Sequence, residues 1–316
     1  MEQKSFVYVL IGDTVVLVNK QGKRQKVKTG IFRCELSVYN GKILYSGGLK
    51  NSVLSADIGI FDAKENWEDW VLYDEAVSII GKLSNPRINH TQTIYKDFLY
   101  VIGGSAPKNP MDACEKIDLN TGKSFILPNI PFYCMLHGAT LLNNRIYLLG
   151  GTQIEINRAR EIEKKHLVYL DLDRETWVQT CDSPSKALRP CLIPIKNQFI
   201  LIMGGWAKES QIINKVHVVD TLNSSIIPIT DLNICEVFYS YSCQNNLIQT
   251  IDYVGTVHNF HKPSIEKLLT FEIISKKVWK RRRCCVFTFS KLKGFKSKSN
   301  FFSLPETIVR ELIRFL

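Results

Sequence analysis

Four runs of β-favouring apolar residues, at 42–46, 98–102, 145–149 and 199–203, each end in a glycine pair: Gly47-Gly48, Gly103-Gly104, Gly150-Gly151 and Gly204-Gly205. The first glycines of the pairs are 56, 47 and 54 residues apart. One apolar run stopped by glycine is an ordinary strand end, whereas four in phase make a repeat of about 50 residues, the length of a four-stranded unit. A polar loop of variable length follows each pair. Next come two apolar or aromatic positions eight residues apart: Ile117 and Phe125, Tyr169 and Trp177, Val218 and Ile226, Phe271 and Trp279. Turn-forming residues separate the two members, as at 118–123 and 171–176, which predicts a hairpin between the third and fourth strands of each unit.

This pattern resembles the kelch repeat, over about residues 30 to 280. The resemblance implies an all-β fold, a kelch-type β-propeller. In that family the double glycine follows the second strand of a blade, and the aromatic pair packs between neighbouring blades. Full blades are read at 31–73, 87–127, 133–179 and 190–228. A fifth, 237–279, keeps the strand pattern but carries Gln249, Thr250, Ile251 and Asp252 in place of the glycine pair. The N-terminal segment 6–27 supplies up to three strands, with a tight turn at Gly12 and Asp13 and a second at 20–23. An open ring would leave a row of unpaired edge groups. Six four-stranded blades are therefore expected, closed by N- and C-terminal strands, with the apolar run 284–289 completing the N-terminal blade as its innermost strand beside 6–11. A tail helix packed outside the ring is the alternative. The propeller is assigned to 1–290, and 291–316 to a basic linker and a short C-terminal helix.

Composition changes little for the body and more for the tail. Hydrophobic residues make up 45% of the chain and charged residues 22%, the balance of a folded domain with a core. The net charge of +11 is concentrated, because residues 276–300 hold ten Lys or Arg and no acid. A nearly neutral body argues against nucleic acid as its partner. The patch Lys280 to Arg283 fits a localisation signal, an anionic surface or a solvated strand end alike. Nine cysteines, without a CxxC pair, read as free core thiols of a reducing compartment. No stretch approaches 18 apolar residues, so no transmembrane segment is expected, and the chain is placed in the cytoplasm, with the nucleus also open to it. The tail helix presents Ile308, Val309, Leu312, Ile313 and Leu316 on one stripe behind Leu304 and Pro305. It resembles the first helix of an F-box or the closing part of a cullin-adaptor box, although an F-box is about three times as long. On that resemblance Leu304, Pro305, Ile308 and Leu312 would contact a cullin adaptor. Docking on the protein's own surface is the other reading.

Chemistry-bearing motifs are weak. The six histidines match no metal spacing, and the one close pair, His258 and His261, reads as a solvated loop. Paired carboxylates such as Asp171 and Asp173 fall in turns. No catalytic residue, metal or cofactor is assigned. Polar residues recur instead near the start of each innermost strand: Arg33, Arg87, Asn89, His90, His137 and Arg189. In a propeller these ring the mouth of the central channel, where kelch adaptors grip a partner's loop; bridging of adjacent blades is the structural alternative. Trp206, just past a glycine pair, is the best anchor. The expected function is that of a monomeric protein-interaction module without enzymatic activity. A protein client would lie on the propeller face, and a cullin adaptor on the tail helix would make the chain a substrate receptor of a ubiquitin ligase. A cytoskeletal or scaffold protein is the second reading and a kelch-fold enzyme the third.

Overall fold

Each glycine-terminated run forms a strand that is buried on both faces, which explains why these runs are continuously apolar and do not alternate. Leu99, Val101, Ile146, Leu148, Leu201 and Met203 are all at most 1% exposed. The computed structural model describes residues 6–19, 24–62, 77–106, 110–156, 166–183, 187–207, 213, 216–229, 238–244, 247–252 and 257–261. The chain divides into two units, Met1–Leu269 and Thr270–Leu316, and every described residue belongs to the first.

The described residues are all-β. Four antiparallel sheets have four strands each, in chain order. They are Glu35–Tyr39, Lys42–Ser46, Asp57–Asp62 and Ser78–Lys82; Thr91–Tyr95, Phe98–Ile102, Cys114–Asp118 and Ser124–Leu127; Gly138–Leu142, Arg145–Leu149, His166–Asp171 and Thr176–Asp182; and Cys191–Ile195, Phe199–Met203, Val216–Asp220 and Ser225–Ile229. A sheet of three described strands precedes them, Phe6–Ile11, Thr14–Asn19 and Arg24–Lys28. Another follows, Phe238–Gln244, Leu247–Asp252 and Val257–His261. We number these six sheets in chain order.

Turn chemistry sets the register. Asn40 and Gly41, and Asn143 and Asn144, all have positive φ and join strands in the two-residue turn that suits a right-handed strand twist. At the third-to-fourth-strand turns an aspartate caps the loop. Asp118 Oδ1 accepts from the amides of Asn120 and Thr121, and Asp171 Oδ1 from those of Asp173 and Arg174. The two kinds of turn are tied together, since Leu119 N donates to Asp97 O at 2.8 Å and Leu172 N to Asn144 O at 3.0 Å.

Apolar clusters join successive sheets. Val15, Leu17, Ile43 and Tyr45 pack the first sheet on the second, and Leu44, Ile58, Leu99 and Val101 pack the second on the third. Tyr100, Ile102, Ile146 and Leu148 join the third to the fourth, and Tyr147, Leu149, Ile200 and Ile202 the fourth to the fifth. Cys191–Ile195 runs beside Phe238–Gln244, and Ile251 of the sixth sheet packs with Val7, Val9, Val16 and Val18 of the first. Trp177 reaches the third sheet, where its indole donates to Pro128 O at 2.8 Å, while Tyr169 packs toward the fifth. The expected aromatic pair thus splits between two interfaces in this repeat. Phe125 does not follow it: it is 37% exposed, beneath the amines of Lys116 and Lys123.

Three sequence readings change. The second sheet does not end by residue 73; its fourth strand is Ser78–Lys82. That strand is short and holds Gly81, whose bare Cα lies against the Gly122 backbone of the next sheet. His258 and His261 lie on the strand Val257–His261, not in a loop, because this segment pairs with Leu247–Asp252. Phe6–Ile11 runs beside the first strand of the sixth sheet and so takes the first-strand place itself. The run 284–289 proposed to pair with it lies outside the described residues.

The glycine pairs are the junctions. A Cβ on Gly47, Gly103 or Gly150 would lie 2.5, 2.5 or 2.4 Å from a carbonyl oxygen of the next repeat, that of Arg87, Cys134 or Ala187. The amide of the second glycine donates to the same oxygen: Gly48 at 2.9 Å, Gly104 at 2.8 Å and Gly151 at 2.8 Å. Gly103→Ala adds steric overlap to an unfavourable φ of +60° and should cost about 3 kcal/mol or more. Gly30→Ala, with a φ of +67° and open space around it, should cost about 1 kcal/mol. Urea unfolding of both variants measures the difference.

Candidate functional site

The glycine junctions also determine the candidate site. Two residues after each acceptor carbonyl the backbone must turn into the next innermost strand, and the residue there has positive φ: Asn89 at 57°, Leu136 at 56° and Arg189 at 51°. Arg33, at 55°, holds the same place in the second sheet. These segments are linked in series, because Leu136 N donates to Asn89 O at 3.0 Å and Arg189 N to Leu136 O at 2.7 Å. Just after each glycine pair the chain returns to its own lead-in segment. Phe32 pairs with Leu49, Ile88 bridges Ser105, Met135 pairs with Thr152, and Leu188 bridges Trp206.

Arg33, Asn89, Leu136, Arg189, Phe32 and Trp206 line one cavity of about 500 Å³. Tyr8, Leu10, Leu36 and Glu35 complete its wall. Arg189 reaches across it, with Nη1 3.1 Å from Glu35 Oε1 and Nη2 3.2 Å from Asn89 Oδ1. Enclosure pushes the Glu35 carboxyl above the usual carboxylate range, and the Arg189 guanidinium opposes that shift. Arg33 is exposed and makes no hydrogen bond or ion pair with the described residues. Phe32 is 45% exposed, and Ile11 and Val53 nearby in the fold are also open to solvent. Among the described residues, the cavity therefore offers Arg33 as a free cation, the Arg189–Glu35 ion pair and an apolar wall.

Four of the sequence-predicted residues, Arg33, Asn89, Arg189 and Trp206, come together here. Arg87, His90 and His137 do not; assigning them to partner contact is corrected by their burial, at 1%, 1% and 3% exposure. Arg87 is a structural cation. Its Nη2 pairs with Glu115 Oε1 at 2.8 Å, and its Nη1 donates to Gly103 O and Ala113 O. Glu115 Oε2 accepts from Ser84 N, Ser84 Oγ and Ser124 Oγ. Both charges are thereby satisfied inside the sheet, as buried charges must be. Leu304, Pro305, Ile308 and Leu312 lie outside the described residues. Sequence reasoning missed Leu136 and Glu35. An alignment of the four lead-in segments on the residue after Phe32, Ile88, Met135 and Leu188 would have found Leu136.

The two histidines sit between sheets. Ser46 Oγ donates to Gln92 Oε1 at 2.6 Å, so it must accept from His90 Nε2, 2.9 Å away, which fixes the neutral tautomer. His137 Nε2 lies 2.8 Å from Thr91 Oγ1. Neither Nδ1 has a partner among the described residues. Burial lowers the His137 pKa to about 3, with the Arg189 charge adding to the effect. Burial, then Arg87, Arg189 and His137, hold His90 well below its ordinary value. The buried cysteines are equally unreactive, with Cys114 and Cys191 each pushed by burial up to about 12. Among the described residues no helix is long and apolar enough to cross a membrane.

No family model matches the chain. Residues covering 62% of it are 23% identical, over 206 positions, to Kelch-like protein 38 of Homo sapiens. The chain spans about a third of the length of that curated relative, 32%. This partial likeness and the series of four-stranded antiparallel sheets both fit a kelch-type β-propeller.

A neutral buried imidazole makes stability depend on pH in a definite direction. Below about pH 6.5 the unfolded chain binds protons that folded His137 refuses. Stability therefore falls from pH 6.5 toward pH 3, by up to about 1.4 kcal/mol per pH unit for one histidine. Glu35, with a raised pKa, acts in the opposite sense, so the comparison must be made against a variant. The stability gap between the wild type and His137→Gln should shrink between pH 7 and pH 4.5 in thermal unfolding. An unchanged gap would mean that folded His137 takes up its proton over the same pH range as the unfolded chain.

Proposed function

We propose that the chain is a kelch-type propeller of six blades closed on itself, and that it binds a segment of another protein in the cavity at the mouth of the ring. The six-blade ring is supported by the succession of contacts from the first sheet to the sixth and from Ile251 back to Val7 and Val9. The observation that carries the binding reading is that the same backbone position in successive repeats delivers Arg33, Asn89, Leu136 and Arg189 to one concavity. A concave surface of mixed polar and apolar lining, with charged groups converging on it, suits recognition. Binding is favoured over catalysis because His90 and His137, whose protonation burial strongly disfavours, are enclosed between sheets and bonded to hydroxyls. As a finer proposal, the tail residues Leu304, Pro305, Ile308 and Leu312 hold a cullin adaptor, so that the chain presents its client to a ubiquitin ligase. That part rests on the sequence resemblance. Free thiols suit a cytoplasmic setting.

Proximity labelling with the full-length protein tests the reading. Arg33→Ala combined with Trp206→Ala should remove a set of labelled partners that Ile126→Asp retains, since Ile126 is 70% exposed on an outermost strand. If the outer-strand variant loses that set and the mouth variant keeps it, the sides of the propeller are the binding surface.

A further inference from the structure

The two guanidinium groups of the cavity occupy equivalent backbone positions yet are in opposite states. Arg189 is held by Glu35 and Asn89, and Arg33 is free. One residue supplies the charge in this difference. Glu35 stands two positions after the positive-φ residue of its repeat, where the other repeats have Thr91, Gly138 and Cys191. Three of the four positions are thus uncharged, and the fourth carries an acid that reaches Arg189 across the cavity. Nothing in the packing of the second sheet demands a carboxylate there. Glu35 and Arg189 are each 22% exposed, and the pair borders the cavity.

We propose that Glu35 determines the specificity of the cup: by pairing with Arg189 it leaves Arg33 as the free cation among the described residues that line the cup, so the cup selects a polypeptide segment with a single carboxylate beside an apolar side chain. The carboxylate pairs with Arg33, and the apolar side chain packs on Phe32 and Trp206. A second carboxylate on the same segment would meet an Arg189 already neutralised, and it would be brought close to Glu35, where like charges in a partly desolvated site repel. This inference rests on the cavity's being the binding site, and it adds the chemistry of the occupant.

A random peptide library displayed on phage, panned against the full-length protein, supplies the probe. The wild type should enrich peptides with one Asp or Glu next to an apolar residue. Synthetic copies of these should bind Arg33→Ala at least about tenfold more weakly. Glu35→Gln keeps the shape of the side chain and takes the Glu35 carboxylate away from Arg189, so panning against it should enrich peptides with two carboxylates. Those peptides should bind the variant at least about tenfold better than they bind the wild type. Melting temperatures check that the variants fold; should Glu35→Gln melt early, Glu35→Thr, matching Thr91, takes its place. If Glu35→Gln selects the same peptides as the wild type, the specificity role is wrong while the cup remains the binding site. If enriched peptides bind Arg33→Ala and Trp206→Ala undiminished, or none is enriched, the cup is not the site and both readings fall.

Discussion

The contact on which the rest depends is a backbone carbonyl pressed against a glycine pair of the preceding repeat. The oxygens of Arg87, Cys134 and Ala187 each come so close to the first glycine of a pair that a Cβ could not fit, and each accepts the amide of the second glycine. The contact involves no side chain on the glycine side, so the neighbouring residues can vary without disturbing it. It fixes the spacing of consecutive sheets and pins each lead-in segment. The chain must then turn sharply within two residues, which is why residues as different as Asn89, Leu136 and Arg189 share a positive φ. The mouth of the cavity is a direct product of this backbone geometry, and its chemistry is free to differ from repeat to repeat.

Buried polar groups follow the same frame. The acceptor position holds Arg87 in one repeat and Cys134 or Ala187 in the next two. Where it is Arg87, the third strand supplies Glu115 to meet it; at the matching place the next sheet has Val168. An ion pair and an apolar pair thus fill equivalent sites, as expected when a buried salt bridge is close to neutral against apolar packing. The histidines at 90 and 137 edge onto the first glycines, with ring carbons that would lie 2.9 and 3.1 Å from added Cβ atoms at Gly47 and Gly103. They are part of the junction, where burial keeps them neutral.

Much of this was legible in the sequence, for identifiable reasons. The doubly buried second strands are continuous apolar runs with glycines in fixed phase, so their number and spacing could be counted directly. The three N-terminal strands were marked by Gly12 and by the turn at 20–23. Of the site, Arg33, Asn89, Arg189 and Trp206 could be found from position in the repeat. Depth could not: polarity placed Arg87, His90 and His137 at the mouth, whereas a shift of one or two residues at a positive-φ turn carries a side chain from the cavity into the interface behind it. Leu136 escaped notice because it is apolar, although the backbone position, and not the side chain, puts it on the rim. Glu35 gave no local signal, because its role depends on Arg189, 154 residues away. The strand Ser78–Lys82 was hidden by its shortness and its glycine.

The central claim is that glycine junctions bind the sheets into one closed cooperative body that carries the cup. Hydrogen exchange at the amides of Gly48, Gly104 and Gly151 tests it most directly, since each amide is buried in a different junction. In a closed ring no junction can open without breaking the circuit, so the three amides should exchange slowly and with one common opening free energy, equal to that of global unfolding. A graded series, with the junctions nearest one end of the chain opening first and at lower cost, would be the signature of an open stack of repeats and would contradict the account.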